Sequence, residues 1–177
     1  MYRLPAEAQK KLQKLRERFK EIPVPVIAIA KELGIKIYET FDFSRTQSGS
    51  IKKENGRYVI YLNGRDHSTR KRFTIAHEIG HFLLHHDYLS RGNEAITEIK
   101  QPFGELNRPA ESISMKEEEK KREIEANRFA AELLMPSEEF KEAFEQADNI
   151  EDIADKFYVS PSAVAVRAKE LLGYMII

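Results

Sequence analysis

The chain has no cysteine, no tryptophan, no net charge and no apolar run of membrane-spanning length. Without cysteine there can be neither disulfide staples nor a thiolate metal site, so any bound metal has to be held by imidazoles and carboxylates. Lys+Arg and Asp+Glu balance at 29 each, which leaves no overall field to draw the protein to nucleic acid or to a lipid surface. The opening stretch, Met1 to Lys20, is charged and amphipathic and lacks the apolar core of a secretory signal. These absences lead to the expectation of an intracellular, cytoplasmic protein that does not engage a membrane. What remains is a 177-residue chain, 33% charged, long enough for one domain with a hydrophobic core.

The apolar spacing divides the chain into an α+β pattern. Leu4, Ala8, Leu12, Leu15 and Phe19 predict a first helix that Pro23 and Pro25 stop, and Val26 to Leu33 predict a second, closed by Gly34. Alternation over Ile35–Glu39, Ser48–Lys52 and Arg57–Asn63 predicts three strands, with Asn55-Gly56 as a hairpin turn, giving a small antiparallel sheet. Thr69 to His86 reads as a long helix with an apolar stripe through Phe73, Ala76, Ile79, Gly80 and Leu83. Asp87 to Ser114 has no sustained period and is longer than an ordinary connection, as an active-site flap would be. Helical spacing resumes over Lys116–Met135, Pro136 ends it, and Ser137-Glu138-Glu139 opens a further helix in the manner of an N-cap.

The five histidines carry the chemistry. His77 and His81, four apart on the long helix, offer two imidazoles to one ion, with Glu78 beside them as a general base. Zinc held by two histidines and one more protein ligand keeps a position open for water and polarises a peptide carbonyl. A third ligand is expected from the helix Lys116–Met135, whose buried stripe is Ala126, Phe129, Ala130, Leu133 and Leu134. At about 100° per residue, Glu123 lies about 50° from the centre of that stripe and Glu125 about 110° from it. Glu123 is the better aimed and Glu125 the alternative, while Ala126 and Ala130 are small enough to let the two helices approach. His85 and His86 read as structural or supporting residues, and His67 as an exposed loop residue.

Two segments together, Arg72-Phe73-Thr74-Ile75-Ala76-His77-Glu78-Ile79-Gly80-His81-Phe82-Leu83-Leu84-His85 and Glu123-Ile124-Glu125-Ala126-Asn127-Arg128-Phe129-Ala130-Ala131-Glu132-Leu133-Leu134-Met135-Pro136, resemble the ImmA/IrrE family of metallopeptidases. The resemblance extends from about residue 25 onward. It implies a gluzincin-like site with His77, His81 and Glu123 as zinc ligands and Glu78 as base. It also implies a substrate class of helix-turn-helix transcriptional repressors cut at few sites, in mobile elements, stress responses or antitoxin pairs. Asn127 stands where related zincins carry Asp.

Residues 1–147 are expected to form the metallopeptidase unit, and 148–177 a helix-turn-helix-like segment packed on it. Ile153–Arg167 shows that pattern, with Ser160 as N-cap. Only Arg167 and Lys169 supply positive charge on its second helix, so direct DNA reading is not expected and a packing or repressor-docking role is favoured. The competing function is a non-catalytic module that sequesters its partner, against which the intact Glu78 speaks. Strand Arg57–Asn63 is the candidate edge for an extended substrate, and Tyr61 and Tyr88 are candidates for stabilising an oxyanion.

Overall fold

The structure, a computed structural model, describes residues 4–92, 94–98 and 117–173. Two helices, α1 (Ala6–Arg18) and α2 (Val26–Glu32), precede three strands, β1 (Lys36–Thr40), β2 (Gln47–Glu54) and β3 (Arg57–Asn63). Then come α3 (Ser68–Leu84), the short α4 (His86–Ser90), β4 (Ala95–Glu98), and four helices, α5 (Glu117–Leu134), α6 (Ser137–Gln146), α7 (Ile150–Phe157) and α8 (Pro161–Leu172). The protein is thus mostly helical with one small sheet, an α+β fold of the zincin-like kind. Most of the expected flap falls outside the described residues; its described part is α4 and β4. None of the described helices is long and apolar enough to cross a membrane.

The sheet departs from expectation in two ways. Its order is β1-β3-β2-β4, and β1 pairs with β3 in parallel, so the sheet is mixed and not wholly antiparallel. The Asn55-Gly56 turn, with both residues at positive φ (48° and 78°), folds β2 back on β3 as a tight hairpin. The connection after β1 carries the chain past β3's position, so β3 enters between β1 and β2 and must run parallel to β1. As a consequence β3 is a central strand, its backbone engaged on both sides, and it offers no free edge to a substrate. Val59, Ile60 and Leu62 of β3 are all buried, as suits a strand covered on both faces.

Helix α3 lies across this sheet and against α5. Gly49 of β2 makes the first approach possible, because a Cβ there would stand 2.4 Å from Thr74 Cγ2 and 2.9 Å from the Tyr61 carbonyl oxygen. One buried cluster links Val26 and Ile29 of α2, Ile51 and Ile60 of the sheet, Ile79 of α3, Phe129 and Leu133 of α5, and Phe157 and Val164 of the last two helices.

The turn between α7 and α8 is fastened to the start of α3. Tyr158 sits in the left-handed region (φ 52°), its hydroxyl donates to Ser68 Oγ (2.9 Å), and its carbonyl accepts from Arg72 Nε (3.2 Å). Arg72 also stacks its guanidinium 5.2 Å from the Tyr158 ring centre. Ser160 caps α8 by accepting from the Ala163 N–H. By contrast Ser137 does not cap α6: its N–H and hydroxyl both donate to the Glu132 carboxylate, and Pro136 occupies the cap position. Arg167 is only 3% exposed; it bonds the Met135 carbonyl, Glu132 and Glu170. Of the two cations on α8, one is therefore spent inside the fold, which leaves Lys169.

Candidate metal centre

The site begins with the way α3 is started and held. His67, just before its first turn, accepts from the Thr69 N–H through Nδ1 (3.4 Å), so its role is a helix cap well away from the other histidines. Lys11 of α1 donates to the Leu83 carbonyl at the other end (2.6 Å), satisfying one of the orphan acceptors of the last turn. Between these ends, residues Thr74 to His81 are all buried.

At Gly80 the helices α3 and α5 come nearly into backbone contact. A Cβ on Gly80 would stand 3.2 Å from Ala126 Cα, Ala126 O and Phe129 Cδ1 alike. That approach brings Glu123, one turn before Ala126, against both histidines. Its Oε1 lies 2.9 Å from His81 Nε2 and its Oε2 3.2 Å from His77 Nε2, and the two Nε2 atoms are 3.0 Å apart. Among the described residues His77, His81 and Glu123 form a group able to hold a metal ion. His77 and His81 are wholly buried, whereas the Glu123 side chain is 22% exposed and marks the side open to solvent.

The hydrogen-bond partners of the other ring nitrogens decide what these three groups want. His77 Nδ1 lies 2.9 Å from Asn127 Oδ1, an oxygen that can only accept, so Nδ1 carries the proton and Nε2 keeps its lone pair. His81 Nδ1 lies 3.0 Å from His85 Nδ1, and His85 Nε2 lies 3.0 Å from Glu125 Oε2. The Glu125 carboxylate accepts from His85 Nε2–H, His85 Nδ1 accepts from His81 Nδ1–H, and His81 Nε2 is likewise left with a lone pair. Two lone pairs and an acceptor-only carboxylate thus converge, an arrangement that calls for a cation among them. Tetrahedral ligands about 2.0–2.1 Å from zinc stand roughly 3.3 Å apart, close to the spacings found here. The donor set, two imidazoles and one carboxylate, fits zinc.

The acid–base balance agrees. Burial pushes the His77 imidazolium down, but the Glu123 charge and hydrogen bond, helped by Glu78, more than reverse this and raise its pKa. Burial dominates at His81, lowering it to about 4, and it also lowers His85 against the opposing pull of Glu125. Burial opposes ionisation of Glu123, yet His77 and His81 hold its carboxyl well below the usual range.

Glu78 is buried beside His77, whose charge it favours, and its Oε1 stands 3.7 Å from where a Cβ of Gly49 would be. It therefore looks onto the β2 side of α3, across from α5. Glu125, weighed as an alternative ligand, instead bonds His85. His86 lies apart, 3.5 Å from the Tyr58 hydroxyl and packed on Phe82. The Tyr61 hydroxyl donates to Glu54 on the sheet and does not join the cluster; the Tyr88 ring lies 4.0 Å beneath the Arg122 guanidinium. Sequence reasoning assigned no partners to Asn127, His85 or Glu125. The repeat of four-residue spacing, His81 to His85 and Glu123 to Asn127, was the available signal.

No curated protein matches the chain. Among solved structures a Mycobacterium tuberculosis transcriptional regulator shares the fold, with a TM-score of 0.61 over 94% of this chain at 14% identity. The present chain spans 47% of that one. Residues 30–169, most of the chain, match the peptidase M78 family, described as the IrrE N-terminal-like domain, and the chain belongs to that metallopeptidase family.

Proposed function

We propose that the protein is a zinc-dependent endopeptidase that cuts a helix-turn-helix transcriptional repressor at few sites and so relieves repression in the cytoplasm. The observation that carries the enzymatic part is the convergence of His77 Nε2, His81 Nε2 and the Glu123 carboxylate beside a buried Glu78. Zinc held by those three residues supplies Lewis acidity, polarising a peptide carbonyl and making water a better nucleophile near neutral pH. Glu78, one residue from His77 and on the same helix, takes the proton from the attacking water and delivers it to the leaving amine nitrogen. Asn127 keeps His77 turned with Nε2 toward the centre. Burial of His77, Glu78 and His81 strengthens each of these electrostatic effects, while Glu123 borders the side open to solvent.

The repressor as substrate is supported by the family resemblance of the two site segments, and the name of the similar structure, a transcriptional regulator, is in keeping with it. Charge gives no competing case for DNA, since Arg167 is buried in ion pairs. The test is elemental analysis of the purified protein with its variants. About one zinc per chain is expected, lost in His77→Ala and Glu123→Ala and retained in Glu78→Gln; the last variant, immobilised, then captures the repressor that the wild type cleaves. A wild type that takes up no zinc overturns the reading. A captured partner that the zinc-loaded wild type leaves intact makes the protein a sequestering module.

A further inference from the structure

We infer that His85 and Glu125 are positioning residues for the metal centre: Glu125 orients His85, and His85 fixes the tautomer and ring angle of His81, so that this pair sets how tightly the site holds zinc. The inference rests on the zinc reading above and extends it to two residues that touch neither the ion nor the reacting atoms.

The geometry is a chain of three groups ending at one ligand atom. Glu125 Oε2 lies 3.0 Å from His85 Nε2, and His85 Nδ1 lies 3.0 Å from His81 Nδ1. His85 is 9% and Glu125 8% exposed, so water does not readily substitute for either partner. Neutral imidazole has one donor and one acceptor nitrogen. Because the far end of the chain is a carboxylate, which only accepts, every proton in it points toward Glu125. The lone pair of His81 is then directed at Glu123 and His77.

The placement follows from the two helices. His85 is one turn beyond His81, at the C-terminal cap of α3, so it lies over the same face as the ligands. Glu125 is two residues after Glu123 on α5, which turns it about 200° from Glu123; it flanks the helix contact on the side of His85, while Glu123 reaches His77 and His81. The crossing at Gly80 and Ala126 lets a single helix serve both ends. Metal-bound histidines whose outer ring nitrogen loses its partner bind about 10- to 100-fold more weakly.

The experiment is a competition titration of the metal-free full chain with zinc against a chromophoric chelator, for wild type, Glu125→Ala, Glu125→Gln, His85→Phe and His86→Ala. Nitrogen-15 spectra of the histidine rings are recorded in parallel. Glu125→Ala and His85→Phe are expected to weaken zinc binding about 10- to 100-fold. Glu125→Gln, which keeps an accepting oxygen, recovers most of the affinity, and His86→Ala, off the chain of bonds, binds as the wild type does. The spectra should show His81 protonated at Nδ1 in the wild type, with that single tautomer lost in His85→Phe. Wild-type affinity in both Glu125→Ala and His85→Phe overturns the inference while leaving the zinc site standing. Failure of the wild type to bind zinc overturns the zinc reading itself. A general loosening of the fold is excluded by comparing thermal midpoints of the metal-free variants, which a positioning role leaves near that of His86→Ala; an affinity loss that merely tracks lower midpoints also overturns the inference.

Discussion

Gly80 on α3 faces the backbone of Ala126 on α5, so closely that a methyl group there would lie 3.2 Å from both the Cα and the carbonyl oxygen. Helix backbone cannot move aside as the tip of a side chain can. Gly80→Ala gains about 1 kcal/mol of helix propensity, but overpacking at a rigid contact costs about 1–3 kcal/mol. The net expectation is a small loss of stability, together with a larger fall in zinc affinity because Glu123 is pushed away from His77 and His81. Urea unfolding and a zinc titration of the same variant check both; unchanged zinc affinity would show that the close crossing is not what brings Glu123 to the histidines.

Glu78→Gln removes the proposed base and keeps the shape. Proton transfer by a positioned side chain contributes about 10²–10⁴-fold, so cleavage should fall by at least that range while zinc content stays at the wild-type value. Single-turnover cleavage of the captured repressor is the measurement, and substantial residual activity would take the base role from Glu78.

The metal-free protein should lose stability as pH falls from about 6.5 toward about 4. His81, lowered to about 4 in the fold, binds its proton more readily when unfolded, so acid favours the unfolded chain across that window. His85 is lowered too and acts in the same direction. His77 is raised and works against them: its contribution is present below the unfolded pKa and disappears as pH rises through the folded one. Thermal midpoints of chelator-treated protein between pH 8 and pH 4, in about half-unit steps, give the curve. A midpoint that climbs steadily on acidification would mean that the buried state of His81 is wrongly described.

Arg167 should prove structural. Removing one partner of a buried ion pair costs about 3–5 kcal/mol, and Arg167→Ala leaves the Met135 carbonyl and Glu132 without it. Because Glu132 stays 28% exposed, the lower end of that range is expected, read as a shift in the urea midpoint. Arg167→Ala and Lys169→Ala should both leave any DNA retention at its non-specific, salt-sensitive level; a sequence-specific complex lost with Lys169→Ala would revive a DNA-reading role.

Much of this architecture is legible along the chain because it depends on local periodicity. Helices α3 and α5 fall within two residues of where apolar spacing and Pro136 place them, Ser160 caps α8 as its position suggests, and Asn55-Gly56 announces its own turn. Fold class follows from those elements. Sheet order does not, because the parallel seating of β1 beside β3 depends on where a connection passes and not on any residue's own preference. That is why Arg57–Asn63, an alternating strand of edge-like appearance, turned out to be central. Strand β4 is only four residues long, too short for a period to show. At the centre, helical geometry put Glu123 ahead of Glu125 but kept Glu125 as the alternative. The bonds of Glu125 to His85 and of Asn127 to His77 span 40 and 50 residues, and spacing within one helix says nothing about partners on another.

The fastening of Tyr158 to Ser68 and Arg72 also bears on the order in which the protein is built. These bonds close loops of 90 and 86 residues, and they join a start of α3 already held by the Lys71–Glu39 ion pair and the bond from Arg72 to the Val24 carbonyl. Contacts of such long range form late, because chain entropy has to be lost before they reward it. During synthesis, which runs from the N-terminus, the histidines of α3 emerge well before both Glu123 and this anchor. The unfinished chain therefore carries His77 and His81 without Glu123 beside them, and the candidate metal centre is complete only once α5 has packed on α3.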